Sequence, residues 1–366
     1  MTPPRTLHDI PTPTLIIDVP TMERNIQRMA EFFAEGPCKL RPHFKAHKTP
    51  EIARRQLAAG SCVGLTCATV AEAEVAAGLC DDILIANQVI GRDKCARVAA
   101  LAKGGADIKI GVDSGFGLDQ IAQAAQDAGT TVGVLVEVNV GFRCGVAPGD
   151  AAVALARRAA DNAGIELRGL AGYEGHAVGL EDRAQRESAA RGAMERLLAS
   201  ASAVREAGLP CDIVSAGGTG TYDITGRTAG VTEIQAGSYV LMDTAYAKLD
   251  LPFEKAFSVL GTVISRPRPN LCVADCGHKS CTQDHGMPDV LDVPGATVMF
   301  LADEHALITV SSECPLAPGD LVQLWPSHID PTINLHDVFY ALEGDTVVGI
   351  WPIEARGYPE QRVELG

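Results

Sequence analysis

Residues 132–172 read VGVLVEVNVGFRCGVAPGDAAVALARRAADNAGIELRGLAG, and they hold one full period of the pattern that decides the fold. The stretch opens on an apolar, β-branched run at Val132, the signal of a buried strand. A glycine-bearing loop follows. Residues 151–160 are then alanine-rich, with apolar positions at helical spacing. A second apolar run begins near Leu167.

The same period recurs in both directions. Apolar runs begin near Leu40, Cys62, Asp82, Asp107, Val132, Leu167, Asp212 and Glu233. Amphipathic segments at 52–59, 71–77, 94–102, 118–128, 151–160 and 184–207 separate most of them. Several end at glycine (Ala59-Gly60, Ala77-Gly78, Ala128-Gly129, Ala207-Gly208), which suits the position just past a helix. Eight strands with intervening helices, over roughly Arg24 to Met242, predict an α/β fold of the (β/α)8 barrel type. A doubly wound sheet would alternate in the same way; the count of eight favours the barrel.

The pattern changes after about Leu249. Runs at 257–265, 271–275, 297–301, 307–310, 321–325, 338–342 and 346–351 read as strands punctuated by proline and glycine, with no convincing helix between them. The expected division is a barrel over residues 20–245 and an all-β domain over 246–366. Residues 1–19, whose strand at 14–17 suits either body, are assigned to the β domain.

Composition removes several classes of function. Lys plus Arg is 31 and Asp plus Glu is 46, a net charge of −15. That surface repels phosphate backbones and anionic lipid, so neither nucleic acid nor membrane is an expected partner. No apolar run reaches about 18 residues, and the N-terminus lacks an apolar signal core, so a cytoplasmic protein is expected. The eleven cysteines are odd in number and form no CxxC, and they read as free thiols.

A barrel carries its chemistry at the C-terminal ends of its strands. After the first comes Arg41-Pro42-His43-Phe44-Lys45-Ala46-His47-Lys48, where Lys45 among cationic neighbours has the setting of a Schiff-base lysine. After the fifth, Arg143 is framed by glycines. After the sixth, Tyr173-Glu174-Gly175-His176 offers an acid or base in His176. After the seventh and eighth, Gly217-Gly218-Thr219-Gly220-Thr221 and Gln235-Ala236-Gly237-Ser238-Tyr239 are turns fit to cradle a phosphate. In the β domain, His328-Ile329-Asp330 on an extended segment would place imidazole and carboxylate on one side. Together they suit a divalent cation, with Mn, Mg and Zn all allowed.

The ordered set RPHFKAHK, R-x-G-V, GYEGH, GGTGT, QAGSY and H-x-D resembles the D-threonine aldolase and D-serine dehydratase group. These are fold-type III pyridoxal 5′-phosphate (PLP) enzymes with an alanine racemase-like barrel. The resemblance runs from about Pro13 to Gly357. It implies PLP on Lys45, Arg143 and Tyr173 beside the cofactor, and Thr219, Gly220, Gly237 and Ser238 at its phosphate, with Gly218 and Tyr239 close by. It implies a metal at His328 and Asp330, and a homodimer. Within the group, H-x-D resembles the aldolases and favours Mn or Mg over Zn, whereas H-x-C resembles the dehydratases. The implied reaction is retro-aldol cleavage of a D-3-hydroxy amino acid to glycine and an aldehyde, with Lys45 and His176 catalytic. Dehydration of D-serine or D-threo-3-hydroxyaspartate, and cleavage of 3-hydroxy-D-aspartate, remain alternatives. Phe44 and Ala46 around the lysine, and His278 in DCGHK, depart from the usual pattern and are expected to face the substrate or a partner subunit.

Overall fold

The computed structural model describes residues 5–358. They divide into two compact units. One comprises Met29–Lys45 and Ile52–Gly237; the other comprises the chain up to Arg28, Ala46–Glu51, and the chain from Ser238 onward.

The first unit is built on eight parallel strands. Their spatial order is Lys39–Leu40, Glu233–Ile234, Ile213–Ala216, Ile165–Gly172, Val132–Glu137, Asp107–Val112, Asp82–Gln88 and Leu65–Cys67. Parallel bridges Leu40–Cys62 and His43–Thr66 join the two ends of this order and close the barrel. All eight expected strands are present. Val132–Glu137 is buried at every position, as a strand covered on both faces must be. Each fully buried Val or Leu there contributes about 1.5–3 kcal/mol.

The helices start where a side chain accepts a free amide. Thr69 takes Glu72 N at 3.2 Å, Ser114 takes Gly117 N at 3.2 Å, and Asp182 takes Gln185 N at 2.8 Å. Gly129 ends its helix in the left-handed region at φ +66°, as expected. Gly78 does not take that role. The helix Val70–Ala76 is followed by Ala77 in right-handed geometry, and Leu79 and Cys80 donate back to Ala76 O.

The first residues of three strands, Asp82, Asp107 and Glu233, neutralise two buried cations. Arg41, 1% exposed, meets Asp82 at 2.5 Å and Glu233 at 2.8 Å. Lys109, fully buried, meets Asp82 at 2.9 Å and Asp107 at 2.7 Å.

The second unit is a nine-stranded sheet. Its main path runs Thr297–Leu301, Ala306–Thr309, Leu271–Ala274, Phe257–Arg268, Thr14–Asp18, Val338–Glu343, Thr346–Pro352. Leu321–Trp325 also pairs with Phe257–Arg268 and carries the short strand Asp289–Val290, which the sequence did not signal. Thr14–Asp18 lies between Phe257–Arg268 (antiparallel) and Val338–Glu343 (parallel), so the opening strand belongs to this sheet. The expectation of no helix here fails at Ile329–Asn334, one short helix that bears Asp330. No helix among the described residues is long and apolar enough to cross a membrane.

Candidate active site

Lys45 sits in the one-turn helix Phe44–Ala46 and is half-buried. Its flanks anchor it: Phe44 is 0% and Ala46 1% exposed. These two departures from the family pattern are therefore packing residues and face neither substrate nor partner. The basic loop is also less cationic than its residue count suggests. Arg41 is spent on Asp82 and Glu233. His47 is fully buried and its Nδ1 accepts the Thr49 amide at 3.1 Å, so that nitrogen carries no proton.

The loop after the fifth barrel strand folds back on itself. Asn139 N donates to Val146 O and Val146 N to Glu137 O, with Gly141 (φ +125°) and Gly145 (φ +111°) making the reversal. Its tip docks on the chain that follows the sixth strand. Phe142 meets Tyr173 edge-on at 6.1 Å, and the exposed Arg143 guanidinium lies 5.8 Å from the Tyr173 ring centre. Tyr173 in turn packs on Gly218, where an added Cβ would lie 3.4 Å from its ring. Three expected site residues are thus brought together. At the base of the same loop, Glu137 accepts Gln88 Nε2 at 2.5 Å and the Cys144 thiol at 3.1 Å; burial, with this carboxylate, pushes the thiol up to about 11.

His176 is half-buried, and its Nδ1 is buried without a hydrogen-bond partner. Its ring lies where a Cβ on Gly141 would approach within 3.0 Å. An imidazole nitrogen withheld from protein and solvent partners is an atom that a ligand can satisfy.

The glycine-rich turn is fixed from below by a residue the sequence reading passed over. Glu174 is 0% exposed. It accepts Gly217 N at 3.1 Å, Thr221 Oγ1 at 2.8 Å and Thr225 Oγ1 at 2.6 Å. Thr221 Oγ1 in turn accepts Gly218 N at 3.3 Å. The amides of Gly217 and Gly218 are thereby committed, so Gly218 gives the turn its shape rather than a donor. Gly220 must be glycine: a Cβ there would sit 1.8 Å from Val178 O. Thr219, at the start of the one-turn helix Thr219–Thr221, is 1% exposed. Gly237 follows the eighth strand, at the same end of the barrel. A tight glycine and hydroxyl turn just past a barrel strand, held in shape by Glu174 and packed by Tyr173, fits the place where a barrel holds a phosphorylated cofactor. Nothing in linear spacing ties residue 174 to residues 217–225; the signal in hindsight is a carboxylate in GYEGH facing a turn rich in hydroxyls.

In the strand-rich unit, Ser238 is half-buried, and Tyr239 is fully buried with its ring 5.5 Å from Phe253. The extended reading of His328-Ile329-Asp330 is corrected. His328 is extended (φ −150°), but Asp330 lies in the first turn of the helix Ile329–Asn334, so strand alternation does not relate them. The structure gathers other residues to His328: Nδ1 lies 2.6 Å from Asp284 Oδ2, and the ring stacks on His285 at 4.1 Å with 8° between planes. Ligand atoms of Asp284, His285 and His328 all lie within 4.8 Å of one another. Burial works to raise the Asp284 carboxyl, and His328 outweighs it, holding it below its ordinary value. Asp243, 1% exposed, accepts Ile329 N at 3.2 Å and Tyr246 N at 2.9 Å; burial raises its carboxyl to about 6. His278 is exposed, whereas Cys272, Cys276 and Cys281 are buried free thiols, with burial pushing Cys276 up to about 12.

A closed parallel barrel with a lysine, a glycine turn and an aromatic–arginine pair at one end, in a chain that also holds a strand-rich unit, has the architecture of the alanine racemase-like enzymes. A family model described as the alanine racemase N-terminal domain matches residues 17–245, and one described as a putative serine dehydratase domain matches 256–342. The chain is 40% identical to a D-threonine aldolase from Arthrobacter sp over 358 residues, 95% of this chain and 93% of that one. It superposes on the D-threonine aldolase from Filomicrobium marinum with a TM-score of 0.93 at 39% identity, covering 96% and 97% of the two chains. A D-threo-3-hydroxyaspartate dehydratase variant solved in a metal-free form gives a TM-score of 0.88 at 30% identity, covering 96% and 100%. The chain belongs to the D-threonine aldolase and D-serine dehydratase group, with its alanine racemase-like barrel.

Proposed function

We propose that this protein is a carbon–carbon lyase that cleaves D-3-hydroxy amino acids of the D-threonine type to glycine and an aldehyde. The observation that carries the reading is 40% identity to a D-threonine aldolase across 95% of the chain, with Asp330 retained where the dehydratase pattern has a thiol. PLP bound in the barrel supplies the electron sink for Cα–Cβ cleavage. His328 and Asp330 would hold a divalent cation that would supply Lewis acidity toward the β-hydroxyl, and the oxygen-bearing pair favours Mn or Mg over Zn.

The residues of the chain have distinct parts. Lys45 provides the amine that links the cofactor. Thr219, Gly220, Gly237 and Ser238 hold its phosphate, with Gly218 and Tyr239 beside them and Glu174 keeping the turn in shape. Arg143 and Tyr173, which lie against each other, would border the cofactor ring, where a permanent guanidinium charge would disfavour protonation of a ring nitrogen. His176 takes the β-hydroxyl proton, and its unpartnered Nδ1 is the structural support for that role. The protein acts as a homodimer in the cytoplasm, on a small-molecule substrate.

The test is incubation with D-threonine, D-phenylserine, D-serine and 3-hydroxy-D-aspartate, with and without Mn, and identification of products. Glycine plus an aldehyde from D-threonine, abolished by EDTA and restored by Mn, is expected. A 2-oxo acid plus ammonia as the main product would overturn the aldolase in favour of the dehydratase. Cleavage of 3-hydroxy-D-aspartate alone would narrow the substrate to that acid.

A further inference from the structure

We propose that Asp284 is the positioning residue that presents His328 to the divalent cation, and that His285 covers the imidazole face without joining the coordination. The inference rests on the reading of His328 as a metal ligand.

Asp284 Oδ2 stands 2.6 Å from His328 Nδ1. An ionised carboxylate only accepts hydrogen bonds, so the hydrogen of this contact is on Nδ1, and Nε2 is the nitrogen left to coordinate a cation. Two ligands held about 2.1 Å from one octahedral ion are about 3 Å apart. The 2.6 Å contact is therefore hydrogen-bond spacing, and Asp284 and Nδ1 are not ligands to a common ion. A carboxylate on the far nitrogen of a metal-binding histidine fixes its tautomer and ring plane and raises its basicity.

His285 has a different relation to the same ring. The two imidazoles are stacked, 4.1 Å between centres and 8° between planes. A metal binds an imidazole in the plane of the ring, and the lone pairs of parallel stacked rings run in separate planes that do not converge. His285 therefore restrains the rotation of His328 from one side while Asp284 restrains it from the edge. Ser327 Oγ and Gln283 Oε1, next in the chain to His328 and Asp284, are buried without hydrogen-bond partners. They are polar atoms of the kind that the water shell of a six-coordinate cation satisfies.

The experiment uses PLP-loaded protein, stripped of metal with EDTA and dialysed, then titrated with Mn and followed by calorimetry and the free-Mn EPR signal. Asp284→Ala is expected to weaken Mn binding by about 10–100-fold, with the cofactor absorbance unchanged and turnover recovering at saturating Mn. Asp284→Asn, whose Oδ1 still accepts from Nδ1, should recover part of the affinity, which a merely structural role would not produce. His285→Ala should weaken binding much less than His328→Ala. Asp284→Ala binding Mn as tightly as the parent, while His328→Ala does not bind, would overturn the proposal. His285→Ala losing as much as His328→Ala would make it a ligand and overturn it equally. If His328→Ala itself binds Mn normally, the underlying metal reading fails, and that arm shows it separately.

Discussion

At the glycine-rich turn of the barrel, both oxygens of Glu174 are committed inside the protein, and the residue has no solvent exposure. Around His328, by contrast, Asp284 and His285 are open to solvent, and the Asp284–His328 hydrogen bond and the His285–His328 ring stack join the group. The first arrangement is complete within the protein's own hydrogen bonds. The second leaves side chains that ordering by a cation can complete. The difference suits the tasks proposed for them: a cofactor that stays bound needs a preformed cradle, and an exchangeable cation needs accessible ligands.

The largest expected effect breaks the barrel side at its covalent link. Lys45→Ala should abolish the visible absorbance of the bound cofactor and bring turnover to background. Absorbance that survives would move the linkage to another lysine. His176→Ala comes next, with kcat lowered roughly 10²–10⁴-fold and cofactor absorbance intact if the imidazole is the base. Steady-state kinetics at saturating metal decide it, and an unchanged kcat leaves His176 a packing residue against Gly141.

Glu174→Ala sharpens the comparison directly. It strands one buried amide and two buried hydroxyls, each costing about 1–3 kcal/mol. A stability loss of at least about 3 kcal/mol in urea denaturation should accompany weaker PLP binding. Glu174→Gln, isosteric and able to keep one acceptor, should fall between. A Glu174→Ala protein that binds PLP like the parent would show that the turn holds its shape without the carboxylate.

What the sequence disclosed follows the same line. The eight barrel strands were legible because fully buried parallel strands must be continuous apolar runs, and Val132–Glu137 is one. Lys45, Arg143 and the glycine turn stood out because each lies within a few residues of the end of a barrel strand, where such a fold carries its chemistry. Glu174 was hidden because its partners lie 43 to 51 positions away in sequence, and a lone glutamate beside a glycine reads as solvated. Asp284 was hidden in the same way, 44 positions from His328. The extended reading of 328–330 failed for a local reason. Asp243 accepts the Ile329 amide and so stabilises the start of a helix there, a contact spanning 86 positions. Phe44 and Ala46 read as facing the substrate or a partner because this chain departs from the family pattern there; their burial makes them packing around the lysine's turn.

The smallest expected effect lies in the acid titration, where the two units differ in sign. In the barrel, burial works to raise the Asp82 carboxyl, but hydrogen bonding and charge from Arg41, with Lys109, hold it below its ordinary value of 3.8. A depressed folded value means that the stabilisation is fully present above the unfolded value and is lost as pH falls through the folded one. In the strand-rich unit, burial raises Asp243 to about 6 against the pull of two amides. A raised folded value has the opposite consequence. Its favourable contribution is complete below 3.8 and is lost as pH rises through about 6. Carbon-13 NMR of the aspartate carboxyls across pH 2.5–7.5 (about 2.5 units either side of pH 5) should therefore find one resonance titrating below the ordinary range and one near 6. Assignment by Asp82→Asn and Asp243→Asn decides which is which. Both groups titrating together near 3.8 would mean that neither the ion pairs of the barrel interior nor the burial of Asp243 persists in solution as the structure has them.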